Sequence, residues 1–289
     1  MPHLSPAEQI EAFRAAQRLA YDCATAIAAD LRPGMTERDA AKRMKAWAED
    51  HGIRDWFHEP FAWFGDRTAF RGLIAVKALR GFNPAFLPGL RRLEDGMPFI
   101  LDCAPVVGQA VADIGYAGAL GFNPVVEQLL DDLMEHRALI VERLSAGETM
   151  AGVSRAVDAL CRRQGVEPRH KAYPFNVLAH RVELLPGKPG GFSVAQFGLR
   201  AIRALRNQVA EGRRAGWSPL WNSADTSDHP PVPGLWAVEP HLGFRDVGAK
   251  FEELLVIEED GSAHWLDDDL PHVRRWAAHV PSSQQQKAA

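Results

Sequence analysis

Five residues stand where their types and spacing can do chemistry. Asp102 closes the apolar run MPFILD, and Asp113 follows eleven residues later in QAVADIGY, a separation at which a β-hairpin sets two carboxylates side by side. Buried carboxylates without partners repel one another and lose their hydration at a cost of several kcal/mol, which a divalent cation offsets. The second half of the chain supplies further donors: His180 in NVLAHRVEL, Glu239 in LWAVEPHLG and Glu252 in GAKFEELLVIEEDG. Each sits in or borders an apolar strand, where an isolated ionisable group is unfavourable. Two Asp, one His and two Glu suit two first-row transition ions, because carboxylates bridge metals and imidazole favours Mn, Fe, Co or Zn over Ca or Mg.

Such a set needs strands to carry it and helices to hold the strands. Ser5-Pro6-Ala7-Glu8 combines an N-cap serine, a proline at the first helical position and a glutamate placed for a capping box, so a helix starts there and ends before Pro33-Gly34. Thr36 and Asp39 open a second helix, with Ala40, Met44 and Trp47 as its apolar stripe and Gly52 near its end. Asn123-Pro124 opens a third, and a fourth runs from Thr149 to Gly165. Without gaps and at an offset of 113, Leu31 to Ile53 lies over Leu144 to Val166 with Leu, Gly, Thr and a final Gly coinciding, which implies two related halves. Strands are expected around 55–64, 71–77, 97–106 and 109–114 in the first half and 177–185, 234–239, 251–258 and 263–266 in the second. Helices segregated from hairpin-forming strands indicate an α+β fold.

Composition narrows the classes further. The chain has 289 residues, 46% hydrophobic and 24% charged, and a net charge of -4 that offers no general attraction for nucleic acid or anionic lipid. No apolar run approaches the roughly 18 residues needed to span a bilayer, and MPHLSPAEQIEAF lacks the hydrophobic stretch of a signal peptide, so a cytoplasmic address is expected. Cys23, Cys103 and Cys161 are scattered and read as buried small hydrophobes. Residues 186–233 interrupt the second half. Within them Val194, Phe197, Ile202, Leu205 and Val209 recur at helical spacing opposite Arg200, Arg203, Arg206, Arg213 and Arg214. This is a basic amphipathic helix, serving as a lid or contact or packed on the body with its arginines solvated. Residues 1–280 are expected to form one domain, followed by a disordered tail at 281–289.

The order and surroundings of the five donors resemble the methionine aminopeptidase, prolidase and aminopeptidase P superfamily, with its creatinase-like pita-bread fold. Leu93-Glu94-Asp95-Gly96-Met97 followed by FILD is similar to the family's turn and first metal-binding strand. Ala179-His180-Arg181 looks like a degenerate Gly-His-Gly segment, and Val238-Glu239-Pro240 matches the Glu-Pro element. Gly248-Ala249-Lys250-Phe251-Glu252-Glu253 resembles the Gly-x-Arg-x-Glu-Asp ending, with lysine where the pattern has arginine. The resemblance spans about Ala12 to Leu266 and leaves no room for the extra N-terminal domain of prolidases. It implies a pita-bread fold of two pseudo-symmetric halves around a curved antiparallel sheet, and a homodimer. It also implies a dinuclear centre on Asp102, Asp113, His180, Glu239 and Glu252, with two Mn, Fe, Co or Zn ions activating a water and Glu239 and His180 in catalytic roles. The substrate it implies is a small peptide or peptide-like molecule, with no nucleic-acid or membrane partner.

The departures from that pattern bear on the reaction. Members of the family carry accessory histidines, whereas here none occurs between His58 and His136, and Asn176 and Gly187 stand at further positions of this kind. His58 lies before the strand expected to lead into the pocket and is set aside, leaving His229 and His241 as replacements. Among Trp56, Phe57, Phe61, Trp63 and Phe64, some side chains are expected in the core and others, Trp63 and Phe64 among them, on an aromatic substrate wall. Arg67, Arg71 and Lys77 read as solvated loop charge, with a partner for a substrate carboxylate as the alternative. Missing accessory histidines leave two alternatives: other metal chemistry, such as C–N hydrolysis of a small molecule or di-iron oxygen activation, or a non-catalytic binding module.

Overall fold

A computed structural model of the protein describes residues 5–71, 84–187, 193–194 and 196–279. The expected strand at 71–77, Lys77 and the tail at 281–289 fall outside these residues, Arg71 excepted. Helices α1 (Pro6–Asp30) and α2 (Glu37–Asp50) begin with reciprocal capping boxes, Ser5 with Glu8 and Thr36 with Asp39. Helices α3 (Pro124–Ser145) and α4 (Met150–Gln164) repeat the pair, capped by Asn123 and Thr149. Gly165 ends α4 at φ 73°, a left-handed conformation that costs a residue with a Cβ more.

The strands of the first half are β1 (Trp56–Phe64), β2 (Pro98–Val107), β3 (Ala110–Val111) and β4 (Ile114–Ala119). Those of the second are β5 (Glu167–Pro168), β6 (Ala179–Val182), β7 (Ser193–Val194), β8 (Phe197–Gly198), β9 (Leu220–Trp221), β10 (Gly234–Val238), β11 (His241–Phe244), β12 (Val247–Ile257) and β13 (Ala263–Trp265). The central order is β1-β2-β4-β12-β10-β6, all antiparallel. The order is palindromic about the β4–β12 seam, where Tyr116 faces Phe251 and Gly115 faces Glu252. Two halves of like construction thus meet edge to edge in one curved sheet, the pita-bread architecture that the repeated helix pairs foreshadow.

Helices α1 and α2 pack over Leu101 and Cys103 of β2, and Asp102, which alternates with them, faces away. Ala20, Ala24, Ile27, Met44 and Leu101 form a core beneath α1 and α2, while Leu129, Leu133, Val153, Val157, Trp236 and Leu255 form another with α3 and α4. The three cysteines are free and buried. Helix α5 (Leu199–Ala215) carries Ile202, Leu205, Val209 and the expected arginines but begins later than the pattern implies, since Val194 and Phe197 lie on β7 and β8, which pair as a short hairpin. Ala201 is buried and Ala204 packs on the core, whereas Arg203, Arg206, Arg213 and Arg214 are exposed. Arg200 pins the start of the helix through Asp55 and the Leu185 carbonyl. A further helix, α6 (Pro271–His279), and the hairpin strand β11 have no counterpart in the sequence reading. Among the described residues, no helix is long and apolar enough to cross a membrane.

Candidate metal centre

The strands converge their ionisable side chains on the face opposite α1 and α2. β1 carries His58, β2 carries Asp102, and Asp113 lies just before β4. β6 carries His180, Glu239 lies one residue past β10, and β12 carries Lys250 and Glu252, whose separation of two residues puts both on one face. Gly115 pairs with Asp102 on one side and Glu252 on the other. A Cβ at position 115 would overlap the Lys250 methylenes, so glycine there lets the lysine into the cage. Every one of these ionisable groups is at least nine-tenths buried, with Lys250 at 1% exposure and Glu252 at 2%.

Asp113 is the hub. His58 Nε2 lies 2.9 Å from its Oδ1, and His180 Nε2 lies 3.3 Å from its Oδ2. His58 Nε2 is also 3.3 Å from Asp102 Oδ1. Lys250 Nζ donates to the second oxygens of the remaining acids: Asp102 Oδ2 at 2.7 Å, Glu252 Oε2 at 2.8 Å and Glu239 Oε2 at 2.9 Å. Phe57 stacks on the His180 ring at 5.4 Å, Phe61 tilts against the His58 ring at 5.1 Å, and the Tyr173 ring faces Lys250.

Four carboxyls in so little space titrate abnormally. Burial raises Glu239 to about 6, with Asp113 and Asp102 adding to the rise against the pull of Lys250. Burial, with Asp113 and Glu239, likewise holds Glu252 well above the usual carboxylate range. Burial works the other way on His58, but attraction to Asp113 and Asp102 outweighs it and holds the imidazole up at about 9. Lys250 and Asp113 stay charged for the same reason, the first through its three carboxylate partners and the second through the two histidines, each against the effect of burial. The cage therefore draws in positive charge, supplied by protons and one lysine when no ion is bound.

The donor chemistry fits a transition metal. His58, Asp102 and Asp113 each offer a ligand atom within 4.8 Å of the others, and so do Asp113, His180 and Glu252. The two trios share Asp113. Asp102, Asp113, His180, Glu239 and Glu252 are thus brought into one cluster. His58 belongs to it too, which corrects the reading that set it aside. β1 is a long strand paired with β2, and its bulge between His58 and Phe61 places His58 opposite Ala104 and turns the ring inward. Both His58 and Lys250 were legible as ionisable residues inside apolar runs, WFHEPFAWF and GAKFEEL, the signal that had flagged His180.

The residues expected on a substrate wall are placed differently. Trp63 is buried, donates from Nε1 to the Phe86 carbonyl and stacks on Phe61, one ring away from His58. Phe64, its neighbour on the alternating strand, points to the opposite face and is fully buried against the α1–α2 core. His229 accepts from the Ser218 amide through Nε2 at a loop beside α4, with Nδ1 on the Pro230 carbonyl. His241 lies behind Tyr173, accepting from its hydroxyl at 3.1 Å and donating to the Thr68 carbonyl at 2.8 Å. Burial and then Lys250 hold His241 far below the usual imidazole range, so it is neutral. Arg67 is paired with buried Glu37 and Arg71 with Asp246. Asn176 is exposed, with φ 54°.

A sequence profile of metallopeptidase family M24 matches residues 11–259. No curated protein sequence matches the chain. Among solved structures, the X-Pro aminopeptidase of Thermotoga maritima is similar over 93% of this chain, with a TM-score of 0.66 and 17% identity. A prolidase from Pyrococcus furiosus is similar over 90%, with a TM-score of 0.62 and 16% identity. The match covers 63% of each of those two chains, so this chain spans under two thirds of their length. A methionine aminopeptidase from Rickettsia prowazekii is similar over 92% of this chain and 99% of its own, with a TM-score of 0.60 and 12% identity. At these identities the likeness is one of fold.

Proposed function

The chain belongs to metallopeptidase family M24, and from that membership we propose that it is a metal-dependent hydrolase cleaving an amide bond of a small peptide or peptide-like substrate. The observation that carries this reading is the buried cage in which two donor trios share Asp113. The donor set would suit two ions, with Asp113 common to both trios. Asp102, Asp113, His180, Glu239 and Glu252 would hold them, and the bound metal would supply Lewis acidity and bring a water's pKa toward neutrality.

The chain's own side chains do the rest. Glu239, buried in the cage, is placed to pass a proton from the attacking water to the leaving amine. Lys250 donates to Glu239 Oε2 and Asp102 Oδ2 and fixes both carboxylates. His180 is held between Asp113 and the Arg181 carbonyl, which fixes its ring against rotation. Phe57, Phe61 and Phe197 surround the two imidazoles and restrict water near them. These rings favour a substrate with an apolar side chain.

The test is a panel of Xaa-Pro dipeptides and N-terminal Met peptides offered to protein loaded with Mn²⁺ or Co²⁺. Turnover that vanishes on chelation supports the reading, and Glu239→Gln lowers kcat by about 10²- to 10⁴-fold. A specific observation favours a second reading. Asn176, in a position where relatives place an accessory histidine, is exposed and makes no histidine available there. If protein with bound metal is silent on every peptide, C–N hydrolysis of a small molecule or oxygen activation replaces amide cleavage, and oxygen uptake by the Fe²⁺ form separates those two.

A further inference from the structure

We propose that His58 is itself a metal ligand, the first-half counterpart of His180. It completes a trio with Asp102 and Asp113 for one ion, as His180 completes a trio with Asp113 and Glu252 for the other. This rests on the reading of the cage as a metal centre and adds to it a sixth ligand.

Position is the first argument. Counting outward from the β4–β12 seam, β1 is the third strand on one side and β6 the third on the other. His58 and His180 lie on these matched strands, and in each half that is the strand from which the site receives its imidazole. The carboxylates match as well: Asp102 on β2 answers Glu239 beside β10, and Asp113 beside β4 answers Glu252 on β12. With His58 included, each half contributes one imidazole and two carboxylates.

Orientation is the second. The His58 Nδ1–H donates to the Glu59 carbonyl at 2.9 Å, and His180 Nδ1 faces the Arg181 carbonyl at 3.3 Å, so each histidine is pinned by the carbonyl of its next residue. That hydrogen bond fixes the tautomer and leaves Nε2 as the coordinating nitrogen, the arrangement usual for metal-bound histidine. Both Nε2 atoms then address Asp113, from opposite oxygens.

Spacing is the third. Neighbouring donors about 2.1 Å from a common ion lie roughly 3 Å apart. His58 Nε2 is 2.9 Å from Asp113 Oδ1 and 3.3 Å from Asp102 Oδ1. Lys250 engages Asp102 through Oδ2 and leaves that Oδ1 facing His58. Phe61 and Phe197 pack against the His58 ring and hold it in place.

The experiment counts Mn²⁺ in dialysed protein by elemental analysis and reads histidine nitrogen couplings to bound Mn²⁺ by pulsed EPR. Wild type should carry two ions. His58→Ala and His180→Ala should each carry one, with the nitrogen coupling of one histidine lost in each. His58→Gln preserves a hydrogen-bond donor to Asp113; it should behave like His58→Ala if His58 coordinates, and like wild type if His58 only positions the carboxylate. Two ions with unchanged nitrogen couplings in both His58 variants would overturn the proposal while leaving the metal centre intact. No bound Mn²⁺ in wild type would overturn the metal centre itself, and this proposal with it.

Discussion

In the presence of a chelator, raising the pH should weaken the protein through the histidines of the cage, His58 above all. In an unfolded chain a histidine titrates near 6.5, whereas folded His58 is held at about 9 by Asp113 and Asp102, which outweigh the effect of burial. The folded state binds this proton more tightly than the unfolded state does. The stability it confers is therefore complete below pH 6.5, falls as pH rises through the window from 6.5 to 9, and is absent above it. The difference in proton affinity corresponds to about 3 kcal/mol. His180, also raised by Asp113 against burial, adds a loss of the same sign. Urea unfolding of wild type and His58→Gln, in chelator at the two ends of this window, measures the effect. Wild type should lose about 3 kcal/mol more than the variant across it, and saturating Mn²⁺ should flatten the wild-type slope because the ion displaces the protons. Equal losses in wild type and variant would refute the electrostatic account of the cage.

Other perturbations test other parts. Asp113→Asn weakens the carboxylate common to both trios, so Mn²⁺ at 100 times the wild-type Kd, which stabilises wild type by about 2.7 kcal/mol, should give the variant almost no shift in Tm. Arg137→Met removes the guanidinium 2.7 Å from fully buried Glu253, leaving His272 as its ion-pair partner among the described residues. Loss of one partner of a buried pair costs about 3–5 kcal/mol, which chemical denaturation would register, and a cost under 1 kcal/mol would contradict the pairing. Lys250→Met removes the cation shared by Asp102, Glu239 and Glu252. Chelated variant should lose about 3–5 kcal/mol and recover part of it with Mn²⁺, as read by calorimetry.

Much of this arrangement is legible in the sequence because local chemistry and global fold agree there. Ser5, Thr36, Asn123 and Thr149 cap the helices they signal, and the repeat at an offset of 113 corresponds to a palindromic strand order. Asp102, Asp113, His180, Glu239 and Glu252 are visible as acids and an imidazole within or beside apolar strands. His58 shows locally only as an imidazole within the apolar run WFHEPFAWF; its place in the cage depends on a bulge and a long-range register with β2. The repeat is visible in the helices, whereas the matching places of His58 on β1 and His180 on β6 emerge only from the order of strands in the sheet. Lys250 stands in the sequence as one residue of a motif, whereas its role depends on three carboxylates, two of them far away or across a turn, and on the missing Cβ of Gly115. Phe64 was misplaced by a choice of strand face, since residues 63 and 64 of one strand necessarily point to opposite sides. Nine-residue α6 packs through Trp276, whose indole donates to the Leu130 carbonyl, a contact with no local signature.

Acids and imidazoles from both halves surround Asp113, and the proposed function requires them to bind cations there. Anomalous diffraction at the manganese edge, from crystals grown with Mn²⁺, addresses it directly. Peaks about 2.0–2.3 Å from the Asp113 carboxylate oxygens, flanked by His58 and His180, are the predicted result. Crystals with Mn²⁺ bound elsewhere, or with Lys250 and the four acids undisturbed and no peak among them, would contradict it.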